Sequence, residues 1–429
     1  MLTPKAIVDE LNKYIVGQEE AKRTLAIAFS NRERRKRLPP EIYQEITSQN
    51  ILMVGPTGVG KTEIARRLAS ITDAPFIKVE ATRFTEVGYV GRDAESIIPE
   101  LMEVAAAKIY KERLGEMEKR AEKRATDRIV KYLCQQKAKP KASKPLTTTR
   151  HELASLLKNH LLEGEIIEIE VEASEPLLES LDEDYGSLEW LEDLKGEGKK
   201  VKKKVSIKEA RKMLTQEEVR SLVDVSEVID QAIKRTEEGI VFIDETDKIC
   251  GPQVDMGRDV SGEGVQRDLL SIIEGAKVMT RYGTVNTDHI LFIAAGTFSR
   301  NKPENLIPEF QGRFPVRATL SPLSEESLAQ ILIDLPNSLL KQHQMLLSTE
   351  GVELAFAQDG IKEMAHIAFM MNERGENVGA RRLPGVVEKV LQELSFSGTK
   401  EKRIVVDREY VLSHLGNLTP EGTLDHYIV

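Results

Sequence analysis

Cysteine is nearly missing from this chain: Cys134 and Cys250 are the only two in 429 residues. They lie far apart and without metal-ligand spacing, which excludes a cysteine-held zinc cluster and fits two free thiols in a reducing compartment. Long apolar runs are also missing, and the opening Met1-Leu2-Thr3-Pro4-Lys5 has no apolar stretch of the kind a leader needs. No membrane partner is expected, and a cytoplasmic location is. Positive charge is not in surplus. The formal net charge is −9, which argues against nucleic acid as the main partner, because phosphate binding depends on concentrated Lys and Arg. Peptidase signatures are lacking too: there is no Gly-x-Ser-x-Gly, no His-Glu-x-x-His and no catalytic Cys–His pattern. Any peptide hydrolysis linked to this chain must come from another one.

What is present suits a globular protein of two or three domains, with 40% hydrophobic and 31% charged residues. Thr3-Pro4 predicts a helix N-cap with proline at the first helical position. Ile7, Val8, Leu11, Tyr14 and Ile15 continue with helical spacing. A second helix is expected from about Glu19 to Arg37, stopped by Pro39-Pro40. Ile51–Val54 is a short continuous apolar run, as expected for a strand buried on both faces, and similar runs recur at Phe76–Val79, Ile240–Ile243 and Ile290–Ala295. Helical patterns lie between them, so the class is α/β with a parallel sheet.

Residues 108–230 differ in character. Their only aromatics are Tyr110, Tyr132, Tyr185 and Trp190, while Lys and Glu crowd the segment. It predicts a largely helical insertion with a thin core, in which 137–149 and 195–204 are solvated loops. From about Leu323 the pattern returns to amphipathic helices plus one strand-like segment, Arg403–Val406, as expected for a separate small domain.

Gly55-Pro56-Thr57-Gly58-Val59-Gly60-Lys61-Thr62 is a complete phosphate-binding loop, preceded by an apolar strand and continued by the helical Glu63–Ala69. The glycines let backbone N–H groups turn toward phosphate oxygens, and the helix start adds its positive end. Lys61 is expected to neutralise the β- and γ-phosphates of ATP, and Thr62 to offer its hydroxyl to Mg²⁺.

The strand Ile240–Ile243 ends in Asp244-Glu245. A carboxylate pair at a strand end is more often a solvated turn, but behind this loop it points to ATP hydrolysis. Asp244 would hold Mg²⁺ through water, and Glu245 would act as the base toward the attacking water. Further along, Ile307–Pro315 is a loop containing Arg313, whose guanidinium could stabilise a transferring phosphoryl group from a neighbouring subunit. Gly379-Ala380-Arg381-Arg382-Leu383 opens a helix, where an arginine could report nucleotide state.

These elements, in this order, resemble the AAA+ proteins of the Clp/HslU group. The finer text resembles the HslU (ClpY) family, the ATPase subunits of HslUV (ClpYQ) proteases. Matching stretches are Ile51–Leu68, Ala74–Gly91, Gly239–Asp244 and Gly264–Leu270. The likeness spans essentially the whole chain and is weakest across 108–230, which corresponds to the family's intermediate domain.

The resemblance implies an AAA+ large domain at 1–107 and 231–322, the insertion at 108–230, and a small α/β C-terminal domain at 323–429. It implies a homohexamer that uses ATP and Mg²⁺ to unfold tagged or unfolded proteins and pass them to an HslV-type threonine peptidase. Val16-Gly17-Gln18 is similar to the adenine-contacting box. Gly58, Val59, Gly60, Lys61, Thr62 and Glu63 would contact the nucleotide, joined by Asp244, Glu309 and Arg381. Arg313 matches the arginine finger and Arg381 the sensor of the small domain. Gly88-Tyr89-Val90-Gly91 is similar to the pore loop that grips substrate, an aromatic and a β-branched residue on a flexible glycine mount. Leu424-Asp425-His426-Tyr427-Ile428-Val429 is similar to the tail that docks on the peptidase. Thr246 and Thr297 depart from the family, which more often has small apolar or aliphatic residues there.

Two other functions compete. One is a nucleotide-gated remodeller working without a peptidase. The other is a nucleic-acid motor, suggested by Arg32-Glu33-Arg34-Arg35-Lys36-Arg37, although no aromatic stacking platform accompanies that run.

Overall fold

The computed structural model describes residues 3–46, 50–84, 92–137, 156–157, 162–172, 200–250, 262–397 and 403–415. The Thr3 hydroxyl accepts the Ala6 N–H at 3.2 Å and Pro4 opens helix Pro4–Asn12, so the first cap forms as the sequence predicts. That helix buries Ile7 and Leu11, and helix Glu19–Arg35 buries Leu25 and Phe29 in the same core.

In chain order the strands are β1 (Ile51–Val54), β2 (Phe76–Glu80), β3 (Ile166–Glu172), β4 (Lys200–Ser206), β5 (Ile240–Asp244), β6 (Lys277–Thr280), β7 (Gly283–Asn286), β8 (Leu291–Gly296), β9 (Val316–Thr319), β10 (Glu353–Phe356) and β11 (Arg403–Val406). Five of them make one parallel sheet in the order β2-β5-β8-β1-β9. The four expected apolar runs are four of its strands. β8 is buried at every residue, which explains its unbroken apolar text. It lies between β1 and β5, and Val54 pairs with Gly296, so the C-terminal ends of the three strands share one edge. In open parallel sheets that edge is where ligands bind.

The chain forms two compact units. One comprises Met1–Ile97, Glu238–Val278 and Asn286–Val429; the other comprises Ile98–Glu237 and Met279–Val285. The first unit contains two apolar cores. One surrounds the five-stranded sheet. The other is built by the C-terminal helices Glu325–Ile333, Leu339–Ser348, Gln358–Arg374, Arg382–Ser397 and Arg408–Leu415, with the parallel pair β10 and β11. The strand expected at Arg403–Val406 is β11.

In the second unit, helix Ile97–Lys137 brings Ala125, Ile129, Val130 and Leu133 against Ile167 and Ile169 of β3 and Ile207, Ala210 and Leu214 of helix Ile207–Leu222. One expectation is corrected here. The lysine-rich stretch 195–204 is not a solvated loop from Lys200 onward, because β4 pairs antiparallel with β3. Glu168, Glu170 and Glu172 stand opposite Lys204, Lys202 and Lys200, while Ile167 and Val171 face Val205 and Val201. Composition hides this strand because its charges are matched only across the pair, by residues distant in sequence.

Phe292, at the middle of the sheet and fully buried, tests the core. Phe292→Ala is expected to lower unfolding stability by about 3–5 kcal/mol, read from the midpoint of chemical denaturation.

Candidate functional site

β1 leads directly into the loop from Gly55 to Gly60, and helix Lys61–Ile71 leaves it. The N-terminal N–H groups of this 11-residue helix open onto the loop and favour an anion. Lys61 is 9% exposed, and its ammonium donates to the carbonyls of Gly55 and, at 3.0 Å, Pro56. Burial holds the Lys61 pKa below the ordinary lysine range; Asp244 and Asp247 pull it up, and Arg381 adds to the lowering. A buried cation whose bonded partners are carbonyls fits a polyphosphate, which would bring the compensating charge.

Asp244 and Glu245 sit where β5 ends. The Asp244 carboxylate accepts the Glu245 N–H at 3.0 Å and pairs with Lys78 of the neighbouring β2 at 3.1 Å. Glu245 occupies the left-handed region at φ 58°. Its carboxylate accepts from the Thr82 hydroxyl at 3.2 Å and from Lys248 at 2.9 Å, a bond that holds Lys248 above the usual lysine range. The sheet order therefore brings together two motifs almost two hundred residues apart in sequence.

Comparison with known proteins matches these elements to characterised ones. The model described as "ATPase family associated with various cellular activities (AAA)" matches residues 51–162, and that described as "AAA domain (Cdc48 subfamily)" matches residues 147–317. The ATP-dependent protease ATPase subunit HslU of Thermotoga maritima is 48% identical over 458 residues, covering 100% of this chain and 99% of the relative. The subunit of the same name from Persephonella marina is 45% identical over 442 residues, with the same coverage. The chain belongs to the HslU family. It is an AAA ATPase, an ATPase subunit of the ATP-dependent HslUV protease type.

The HslU-family positions fall into three groups. The first converges on the loop. Val59 is buried in the core beneath it, and Gly17 lies in the link between the first two helices at φ 65°. Val16 beside it is half-buried. Gln18 fixes that link, because its amide donates to the Ser321 carbonyl at 2.7 Å and accepts the Ser321 N–H at 2.9 Å. Thr62 is half-buried in the first turn of the helix. Arg381 lies within electrostatic reach of Lys61, as its effect on the lysine shows. The Glu63 side chain is engaged elsewhere, with Arg67 at 2.7 Å and Arg66 at 3.2 Å, and Arg67 lies 3.6 Å over the Tyr14 ring.

The second group is not drawn to the loop of its own chain. Arg313, at the end of helix Pro308–Arg313, is held by Glu274 at 3.0 Å, and Glu309 in the first turn of that helix is exposed. The third group, Gly88 to Gly91 and Leu424 to Val429, lies outside the described residues.

Sequence reasoning missed how the loop meets the C-terminal region. Gly58 and Gly379 are both left-handed and lie back to back. A Cβ on Gly58 would stand 1.9 Å from the Val378 carbonyl oxygen, and one on Gly379 would stand 2.7 Å from those of Thr57 and Gly58. The Ala380 N–H donates to Gly58 O at 3.1 Å. Asn372, 7% exposed, holds this segment by donating to Gly379 O at 3.1 Å and accepting the Val378 N–H at 3.2 Å. Lys78, Thr82, Asp247 and Lys248 were also missed. A lysine breaking the apolar run of β2 was the one signal available for Lys78.

Gly379→Ala drives a methyl group into the phosphate loop while leaving Lys61 and Arg381 in place. ATP affinity is expected to fall about tenfold or more, measured by calorimetric titration, because the loop backbone must shift.

Proposed function

We propose that this AAA ATPase works as a homohexameric, cytoplasmic protein unfoldase that threads unfolded or tagged proteins into a separate threonine peptidase of the HslV kind. The observation carrying this reading is the split of the arginines. Arg381 is gathered at the Lys61 loop, whereas Arg313 is held 3.0 Å from Glu274, about 40% exposed. An arginine presented away from its own loop is suited to the ATP of a neighbouring copy, which makes ring assembly a condition of turnover.

Within one subunit, Lys61 and the helix start bind the phosphates, and Arg381 ties the C-terminal region to them. Glu245 accepts the proton of the attacking water, its carboxylate oriented by Thr82 and Lys248. Thr62 and Asp244 offer the hard oxygen donors that suit Mg²⁺, and the ion would neutralise phosphate charge there. Lys78 would then yield its contact with Asp244. Val16 and Gly17 would contact the adenine, and Glu309, on the same helix as Arg313, would complete the site of a neighbouring copy.

We assign the large domain to 1–107 and 231–322, the insertion to 108–230 and the small domain to 323–429. Gly88-Tyr89-Val90-Gly91 serves as the substrate paddle, and Leu424 to Val429 as the peptidase-docking tail.

The nucleic-acid alternative is disfavoured by how the basic run is used. Arg32 donates to the carbonyls of His289 at 2.7 Å and Glu238 at 2.8 Å, and Lys36 pairs with Glu33 at 3.0 Å. Arg32 clasps the entrances of β5 and β8 and Lys36 is paired at the end of its own helix, so these two cations do not add to a free phosphate-binding face. No helix among the described residues is long and apolar enough to cross a membrane.

Four measurements test the proposal. Glu245→Gln should keep ATP binding and lose at least about 100-fold in kcat. Arg313→Ala should keep ATP binding and ring assembly yet lose about 10³-fold in kcat. Mixed with an HslV-type peptidase, the wild-type chain should support ATP-dependent cleavage of an unfolded protein. A chain cut after Leu424 should hydrolyse ATP without stimulating cleavage. No stimulation by the wild-type chain would favour a remodeller that works without a peptidase, and stimulation surviving the cut would refute docking through the tail.

A further inference from the structure

Thr246 and Thr297 have no part in the chemistry assigned above, yet the structure uses both hydroxyls. Thr246 is fully buried, and its hydroxyl donates to the Ala295 carbonyl of β8 at 2.7 Å, with the Ile243 carbonyl at 3.3 Å. Thr297 directly follows β8. Its N–H reaches one carboxylate oxygen of Asp247 at 3.2 Å, and its hydroxyl reaches the other at 2.7 Å. The Asn301 amide donates to the Asp247 carbonyl at 2.9 Å, and the Cys250 thiol lies 3.5 Å from the Thr246 carbonyl. The short turn Thr246–Ile249 is thereby fastened to the end of β8 at several points.

The residue entering that turn is Glu245, in a left-handed conformation at φ 58°, ψ 30°. A side-chain-bearing residue stays there only when its surroundings hold it. The holding groups are the contacts just described, together with the Lys248 N–H on the Glu245 carbonyl at 3.0 Å. The same strand end reaches the phosphate loop, because the Gly55 N–H donates to the Gly296 carbonyl at 3.2 Å. Gly55, Gly296, Thr297, Asp247 and Glu245 thus form one continuous path from loop to base.

We infer that Thr246 and Thr297 are positioning residues for Glu245, and that Thr297 acts through Asp247 instead of touching the nucleotide's phosphate. A phosphate oxygen needs a donor, and Thr297 gives both of its donors to Asp247. The inference rests on Glu245 being the base. It explains why hydroxyls stand at two positions where small or aliphatic side chains would pack as well. An aliphatic residue at 246 would leave the Ala295 carbonyl without this donor, and one at 297 would leave Asp247 a single bond to the strand.

The test is steady-state ATPase kinetics on the assembled full-length chain. Thr297→Val should lower kcat about tenfold, with KM and directly measured ATP affinity within about twofold of wild type, and Thr297→Ser should restore kcat. Thr246→Val should shift kcat in the same direction. A weakened ATP affinity in Thr297→Val would place the threonine on the phosphate and overturn the inference, as would an unchanged kcat. Should Thr297→Val fail to fold, Asp247→Asn, equal in size, serves in its place: kcat should fall severalfold at constant KM, and a wild-type kcat overturns the inference. Glu245→Gln separates the two levels. Full turnover in Glu245→Gln refutes the base assignment itself, whereas an inactive Glu245→Gln beside a fully active Thr297→Val refutes only the positioning role.

Discussion

The ammonium of Lys61 is buried at the carboxyl edge of a parallel sheet and bonded to carbonyl oxygens of its own loop. Keeping a cation there is unfavourable unless charge of opposite sign is near. The surroundings are arranged to that end. Asp244, at the end of β5, and Asp247, in the turn after it, raise the lysine's proton affinity, while burial and Arg381 lower it. The result is a site whose electrostatic balance a polyphosphate would complete.

The strand order is what makes that balance possible. β8 stands between β1 and β5, so the end of a single fully buried strand touches both the loop after β1 and the turn that carries Glu245. Interiors are close-packed and transmit displacement, so a shift at the loop is not absorbed locally. Hydrogen bonds from Gly55 to Gly296 and from Thr297 to Asp247 continue that packing into a polar path. The second route out of the loop runs through Gly58 and Gly379, where two backbones meet with no room for a side chain between them. The loop is therefore met by two mechanical contacts. One leads to the turn that carries Glu245, the other to the C-terminal helices.

The insertion follows a different economy of interactions. Its core is small, and opposed Glu and Lys residues on β3 and β4, with Arg128 bonded to Glu217 at 2.9 Å and Glu218 at 2.8 Å, replace part of the apolar burial. Exposed strand pairs such as Lys202 with Glu170 stabilise weakly on their own, and their arrangement specifies pairing and register more than it adds stability.

The sequence alone determined the features that depend on neighbours along the chain: the cap at Thr3, the apolar strands, the loop at Lys61, and the carboxylates closing β5. Each is a local pattern in which backbone geometry and residue type constrain one another over a few positions. Only the tertiary structure decided that Lys78 pairs with Asp244, that β4 exists, that Gly379 must be a glycine because a Cβ there would meet the Thr57 and Gly58 carbonyls, and that Thr297 bonds Asp247. Those facts depend on residues tens to hundreds of positions apart. A hydroxyl or a glycine carries no local mark of the partner it will meet, because the hydrogen bond or close approach that gives it meaning forms only when the sheet brings the two segments together.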